Sequence, residues 1–149
     1  MLKLSRLTDY AVAALVRLSA AEGVETSPGI AAAIGVPEPT VAKVLKALAG
    51  HGLVVSTRGA RGGYRLGRPL SGIAVAEVIC AIDGPIALTS CVEGANSTCE
   101  SLSLCPVAGR WDPVNEAIRK ALTDITLADM AAAALPPGLR LPQPMNEVA

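Results

Sequence analysis

Four segments of the chain place apolar residues at intervals of three and four, and each is closed by glycine or proline. Such spacing commits a chain to amphipathic helices packed on a shared core. Leu4, Leu7, Ala11, Leu15 and Leu18 predict a first helix over 7–20, capped by Ser5 or Thr8 and ended at Glu22-Gly23. A second helix opens at Ser27-Pro28, with Ser27 as its cap and Ile30 and Ile34 as its stripe, and Gly35 stops it. The third, 38–49, has Val41, Val44, Leu45 and Leu48 on one side, with Gly50 as its stop. The fourth, 74–82, has Val75, Val78, Ile79 and Ile82, and Asp83-Gly84-Pro85 breaks it. Hydrophobic residues make up 51% of the chain, which is enough for a core and excludes general disorder. Aromatics are only 2%, with no Phe, so that core must be aliphatic.

Between the third and fourth helices the periodicity changes. Leu53-Val54-Val55 and Tyr64-Arg65-Leu66 flank a Gly-rich tip carrying Arg58 and Arg61, with Arg65 and Arg68 nearby. This reads as a β-hairpin, with Tyr64 packing inside it. Three helices followed by a hairpin form a winged helix-turn-helix layout. The fold class expected is therefore mainly α with a small β-hairpin wing.

Charge supports a polyanionic partner. Residues 1–75 carry nine Lys/Arg against four Asp/Glu, and residues 76–149 carry four against nine. If the third helix buries its stripe, Pro39, Thr40, Lys43 and Lys46 face outward. A helix fits the major groove of double-stranded DNA, and cationic side chains on a hairpin can reach phosphates or a narrow minor groove. Pro39, Thr40, Lys43, Lys46, Arg58 and Arg61 are the predicted DNA contacts. His51 is expected at the surface.

Cys91, Cys99 and Cys105 lie within fifteen residues, in a segment, 86–106, that has no periodicity. No apolar run reaches the roughly 18 residues of a membrane helix, and the N-terminus shows no apolar signal region. A cytoplasmic location without a membrane partner is therefore expected, where disulfides rarely persist and thiols serve metal or redox chemistry. The gaps of seven and five residues are wider than the paired spacing of zinc sites. They suit a larger group such as an iron–sulfur cluster, one ligand short. A zinc-stabilised module and a metal-free thiol sensor remain alternatives. A disulfide-exchanging enzyme lacks its C-x-x-C motif, and no enzyme activity is expected. Cys80, on the fourth helix, is read as a packing residue.

Val107, Trp111, Val114, Ile118, Leu122 and Ile125 form a heptad-like seam, predicting a long helix over 107–125 with Pro113 near its start. The proline-rich stretch 136–149 is expected to be a mobile tail.

These residues carry a resemblance. Leu4-Ser5-Arg6-Leu7-Thr8-Asp9-Tyr10-Ala11, the wing run from Arg58 to Leu66, and Ala81-Ile82-Asp83-Gly84-Pro85-Ile86 before the cysteine triplet are similar to the winged-helix iron–sulfur regulators that include the IscR, RirA and NsrR repressors. The regulators of the SUF cluster-assembly system look closest, and Thr126-Leu127-Ala128-Asp129-Met130 adds to that likeness. The resemblance covers about residues 1–130. It implies a homodimer that binds promoter DNA through a unit over 1–73. It implies a connecting helix and cluster loop over 74–106, and a dimerisation helix with a short terminal helix over 107–135. Trp111, Val114, Ile118 and Leu122 then belong to the dimer interface. It implies one iron–sulfur cluster per subunit on Cys91, Cys99 and Cys105, controlling cluster-assembly (SUF) or iron-homeostasis genes, with nitric-oxide or redox sensing as the alternative. The histidine ligand of some members is replaced by Ala108. Asp9, donated by the partner subunit, stands where others draw an aspartate, which favours [4Fe-4S] over [2Fe-2S]. Glu93 and Glu100 are further acidic candidates.

Overall fold

Helix α3 (Glu38–Gly50) is the element around which the others are arranged. Val41, Val44, Leu45 and Leu48 are all buried, and the helix packs against α1 (Arg6–Ser19), α2 (Ser27–Ile34) and α4 (Val75–Asp83). The structure, a computed structural model, describes residues 3–95 and 99–132. The core is aliphatic, as the composition requires: Leu15, Ile30, Leu45, Leu48, Leu53, Ile73 and Leu127 are its largest fully buried side chains. Burying each stabilises the fold by about 1.5–3 kcal/mol before entropy is counted. Tyr10 and Tyr64 are only partly buried against it.

The helices form where the spacing predicts them, with shifts at the ends. Ser5 caps α1, accepting the Thr8 N–H at 3.2 Å. The cap of α2 is Thr26 and not Ser27: its hydroxyl accepts the Gly29 N–H, and Ser27 is already helical. Gly50 does not stop α3. The helix runs through it, His51 is its exposed C-cap, and Gly52 makes the reversal at φ 71°. Helix α4 starts one residue late, at Val75, because the Glu77 carboxylate accepts the Ala74 N–H at 2.8 Å.

The largest difference lies near the C-terminus. Helix α5 is Asp112–Asp124, not 107–125. Gly109 takes φ 72° and Pro113 sits in the first helical turn, so Val107 lies in a turn and Trp111 is the N-cap. Thirteen residues give a helix of about 20 Å. It packs on α4. The chain leaving it pairs with the approach to α4, through Val75 N–H to Ile125 O and Leu127 N–H to Ile73 O, both 2.9 Å. The short α6 (Leu127–Ala131) follows. The stretch 136–149 lies outside the described residues.

The wing is an antiparallel pair, β1 (Val54–Thr57) and β2 (Gly63–Leu66), with Val54 opposite Leu66 and Thr57 opposite Gly63. It is tied to the helical unit. Glu25, between α1 and α2, exchanges both backbone hydrogen bonds with Tyr64, at 2.9 and 2.7 Å. Gly63 allows this approach, since a Cβ there would lie 2.5 Å from the Glu25 carbonyl oxygen. Gly63→Ala should therefore lower stability by about 1–3 kcal/mol. A thermal melt indistinguishable from wild type would show that the bridge tolerates the extra carbon.

Candidate nucleic-acid interface and cysteine segment

Because α3 buries one side, the other is free. Pro39, Lys43 and Lys46 are exposed and Thr40 is half-buried. Neither lysine has an acidic partner within 4 Å among the described residues. The one acid of the helix, Glu38, accepts the Ser27 hydroxyl at 3.0 Å. Helix α3 rests directly on β1, so the wing starts where the helix ends.

At the wing tip Arg58 and Arg61 are exposed and unpaired among the described residues. The tip is compact because Gly62 lies against backbone: a Cβ on it would come within 2.3 Å of the Thr57 oxygen. Two other arginines of the basic half are engaged. Arg17 grips Glu25 with Nε and Nη2, at 3.1 and 2.6 Å, next to the residue pair that docks the wing. Arg68 donates Nη2 to Glu77 at 2.6 Å and Nη1 to the Gly72 oxygen at 2.8 Å. These pairs are eight and nine residues apart, outside any helical spacing, and sequence periodicity carries no sign of them.

The cysteine segment joins α4 to α5 without regular structure among the described residues. Cys91, Cys99 and Cys105 are half-buried and free of disulfides, as is Cys80. Cys80 faces a groove of about 300 Å³ together with His51, Leu53 and Arg119. The Thr89 hydroxyl lies 3.1 Å from the Cys91 sulfur. Three free thiols are a donor set suited to a thiophilic metal group. Among the described residues, however, no three His, Cys, Asp or Glu side chains converge closely enough to hold a metal ion. Asp9 is exposed on the first turn of α1 and lines a groove with Lys3, Arg6, Val75 and Met130, and among the described residues no cysteine lines that groove. Its neighbour Thr8 is buried and donates to Asp83 at 2.8 Å, tying α1 to the end of α4. Glu93 and Glu100 are exposed.

Along α5, Trp111, Val114 and Ile125 are exposed by 42%, 44% and 46%, whereas Leu122 packs partly on the chain's own core and Ile118 is half-buried. Asn115 is the one buried residue of the helix. Its amide donates to the Ile86 oxygen at 3.0 Å and accepts the Leu88 N–H at 2.9 Å. Sequence reading passed over it, since the heptad pattern draws attention to its apolar neighbours.

An outward cationic helix, a docked hairpin with free arginines, and an aliphatic core behind both define a winged helix-turn-helix DNA-binding transcriptional regulator. The chain belongs to the Rrf2 family of iron-dependent transcriptional regulators, whose model matches residues 4–133. A protein of Mycobacterium tuberculosis named as an HTH-type transcriptional regulator is 36% identical over 137 residues, covering 91% of this chain and 84% of its own. The HTH-type transcriptional regulator IscR of Yersinia pestis is 35% identical over 130 residues, 84% of this chain and 78% of that one. Among solved structures, CymR, the global cysteine regulator of B. subtilis, superposes with a TM-score of 0.66 at 28% identity, covering 88% of this chain and 97% of CymR. The family and these relatives are regulators, and the protein is not an enzyme. Among the described residues no helix is long and apolar enough to cross a membrane.

The Arg68–Glu77 pair makes stability depend on pH. Burial pushes the Glu77 carboxyl up, but the Ala74 N–H and the Arg68 hydrogen bond and charge outweigh it and hold the group below its usual value. A depressed folded pKa stabilises above the unfolded value, about 4.3, and the contribution disappears as pH falls through the folded one. Both side chains are 40% exposed, so the effect is screened. Glu77→Gln should flatten the acid limb of a melting-temperature profile, and an unchanged limb would assign that loss to other carboxylates.

Proposed function

We propose that this protein is a homodimeric, iron–sulfur-cluster-dependent regulator of promoter DNA. The observation that carries the reading is the placement of three free thiols. Cys91, Cys99 and Cys105 lie between α4, which packs on the DNA-reading helix α3, and α5, which leaves apolar side chains exposed. The family's iron dependence supports it. These cysteines would hold one cluster per subunit, [4Fe-4S] in preference to [2Fe-2S], with Asp9 of the partner subunit as the further ligand. When bound, the cluster supplies iron-centred redox and ligand-exchange chemistry. The protein acts in the cytoplasm on cluster-assembly (SUF) or iron-homeostasis genes.

The chain's own residues divide the work. Pro39, Thr40, Lys43 and Lys46 read the major groove, and Arg58 and Arg61 of the wing hold the backbone or the minor groove. Trp111, Val114, Ile118 and Leu122 pair two subunits. The unit over 1–73 binds DNA, 74–106 carries the thiols, and 107–135 pairs the subunits. Half-sites one helical turn apart, roughly 34–36 Å, demand a fixed spacing of the two α3 helices. The cysteine segment is the covalent link between each reader and the dimer helix, so its closure on a shared group sets that spacing.

A second reading, direct nitric-oxide or redox sensing by the thiols, draws on their half-exposure and on the likeness to a cysteine regulator. Anaerobic reconstitution separates the two. Wild type should take up iron and sulfide and gain visible absorbance, and Cys99→Ala should lose both. Uptake of zinc alone, or a colourless metal-free protein whose DNA binding still responds to oxidant, would overturn the cluster reading. Arg58→Ala should weaken promoter binding and lower the slope of log affinity against log salt by about one. An unchanged slope would remove Arg58 from the interface.

A further inference from the structure

The three thiols are not held alike. Cys91 sits between two anchors, both on the first turn of α5. Before it, the Leu88 N–H donates to Asn115 Oδ1 at 2.9 Å, and Asn115 Nδ2 donates to the Ile86 oxygen at 3.0 Å. After it, the Glu93 N–H donates to Asp112 Oδ1 at 3.1 Å. Val92, beside the thiol, is 4% exposed, and Asn115 is equally buried. Around Cys99 and Cys105 the pattern differs. Among the described residues, the hydrogen bonds of 99–108 are short turns closing on the segment itself, such as Leu102 to Cys99, Leu104 to Ser101 and Ala108 to Cys105. Leu102, Leu104 and Val107 leave 49%, 89% and 47% of their surface to solvent, and among the described residues no side chain of 99–108 is buried as Val92 is.

We propose that Asn115 and Asp112 are positioning residues for Cys91. They make Cys91 the fixed thiol of the segment, rigidly coupled to α5, while Cys99 and Cys105 are the thiols that close onto it. A buried amide that satisfies a donor and an acceptor of the same loop is costly to lose, because truncation strands both backbone groups. Whatever binds or modifies Cys91 therefore acts on a loop that side chains of the first turn of α5 hold from both sides, whereas Cys105 meets that helix only through the backbone turns that lead into it.

The test uses the full-length protein without metal, reduced and then alkylated with iodoacetamide, each cysteine followed separately by peptide mass spectrometry. Alkylation of a partly covered thiol waits on local opening. In wild type Cys91 should react severalfold more slowly than Cys99 and Cys105. Asn115→Ala should speed Cys91 severalfold and leave Cys80, Cys99 and Cys105 as they were, which a general loss of stability would not do. Asp112→Ala should do the same more weakly, and Asp112→Asn, which keeps the accepting oxygen, should restore the wild-type rate. Asp112→Ala breaks a single hydrogen bond at the helix start and answers the question should Asn115→Ala not fold. Equal rates for the three loop thiols in wild type, or acceleration of all four cysteines together, would overturn the proposal.

A second measurement rests on the cluster reading: reconstituted Asn115→Ala should release iron to a chelator severalfold faster than wild type. Equal release would overturn the positioning role in the loaded protein. Failure of wild type to take up iron would instead count against the cluster reading and leave the labelling comparison standing.

Discussion

Val41, Val44, Leu45 and Leu48 are buried against three other helices, and the outward face of α3 follows from that burial. Rotating the helix to hide Lys43 and Lys46 would expose four aliphatic side chains, each costing about 1.5–3 kcal/mol. The reading surface is thus held by the core behind it and not by any contact of its own. An aliphatic core suits this purpose. Without Phe, the core is filled by interlocking aliphatic side chains.

The same economy governs the charges. Arg17 and Arg68 are drawn into bidentate pairs with Glu25 and Glu77, which fasten the wing and α4 to the helical unit. Lys43, Lys46, Arg58 and Arg61 find no acidic partner among the described residues. An unpaired, hydrated cation contributes little to folding but keeps its full charge for a polyanion. The division between structural and available cations is therefore made by where two glutamates lie, eight and nine residues from their partners and off any helical spacing.

How far the sequence could be read differs by element. Helices α1 to α4 and both strands lie within about two residues of their predicted places, since each rests on local spacing and capping chemistry. The start of α5 differs because the heptad spacing continues back to Val107, whereas Gly109 turns the backbone at φ 72° and the helix begins only at Asp112, with Pro113 in its first turn. Apolar spacing reports which residues share a face, but not whether the backbone between them stays helical. At the cysteine segment the triplet was plain in the sequence, but its unequal anchoring was not. The Asn115 amide reaches back 27 and 29 residues, and no local rule links such positions.

By itself, then, the sequence determined what short-range physics controls: the helices, the hairpin, the aliphatic nature of the core, the outward lysines of α3 and the chemical identity of the thiols. Tertiary structure alone decided which arginines stay available, that the wing is docked through Glu25 and Tyr64, and that side chains of the first turn of α5 bond the backbone on both sides of Cys91. Those outcomes depend on groups that no helical or strand spacing relates, where contact is set by how the elements pack and not by the spacing of residues along them.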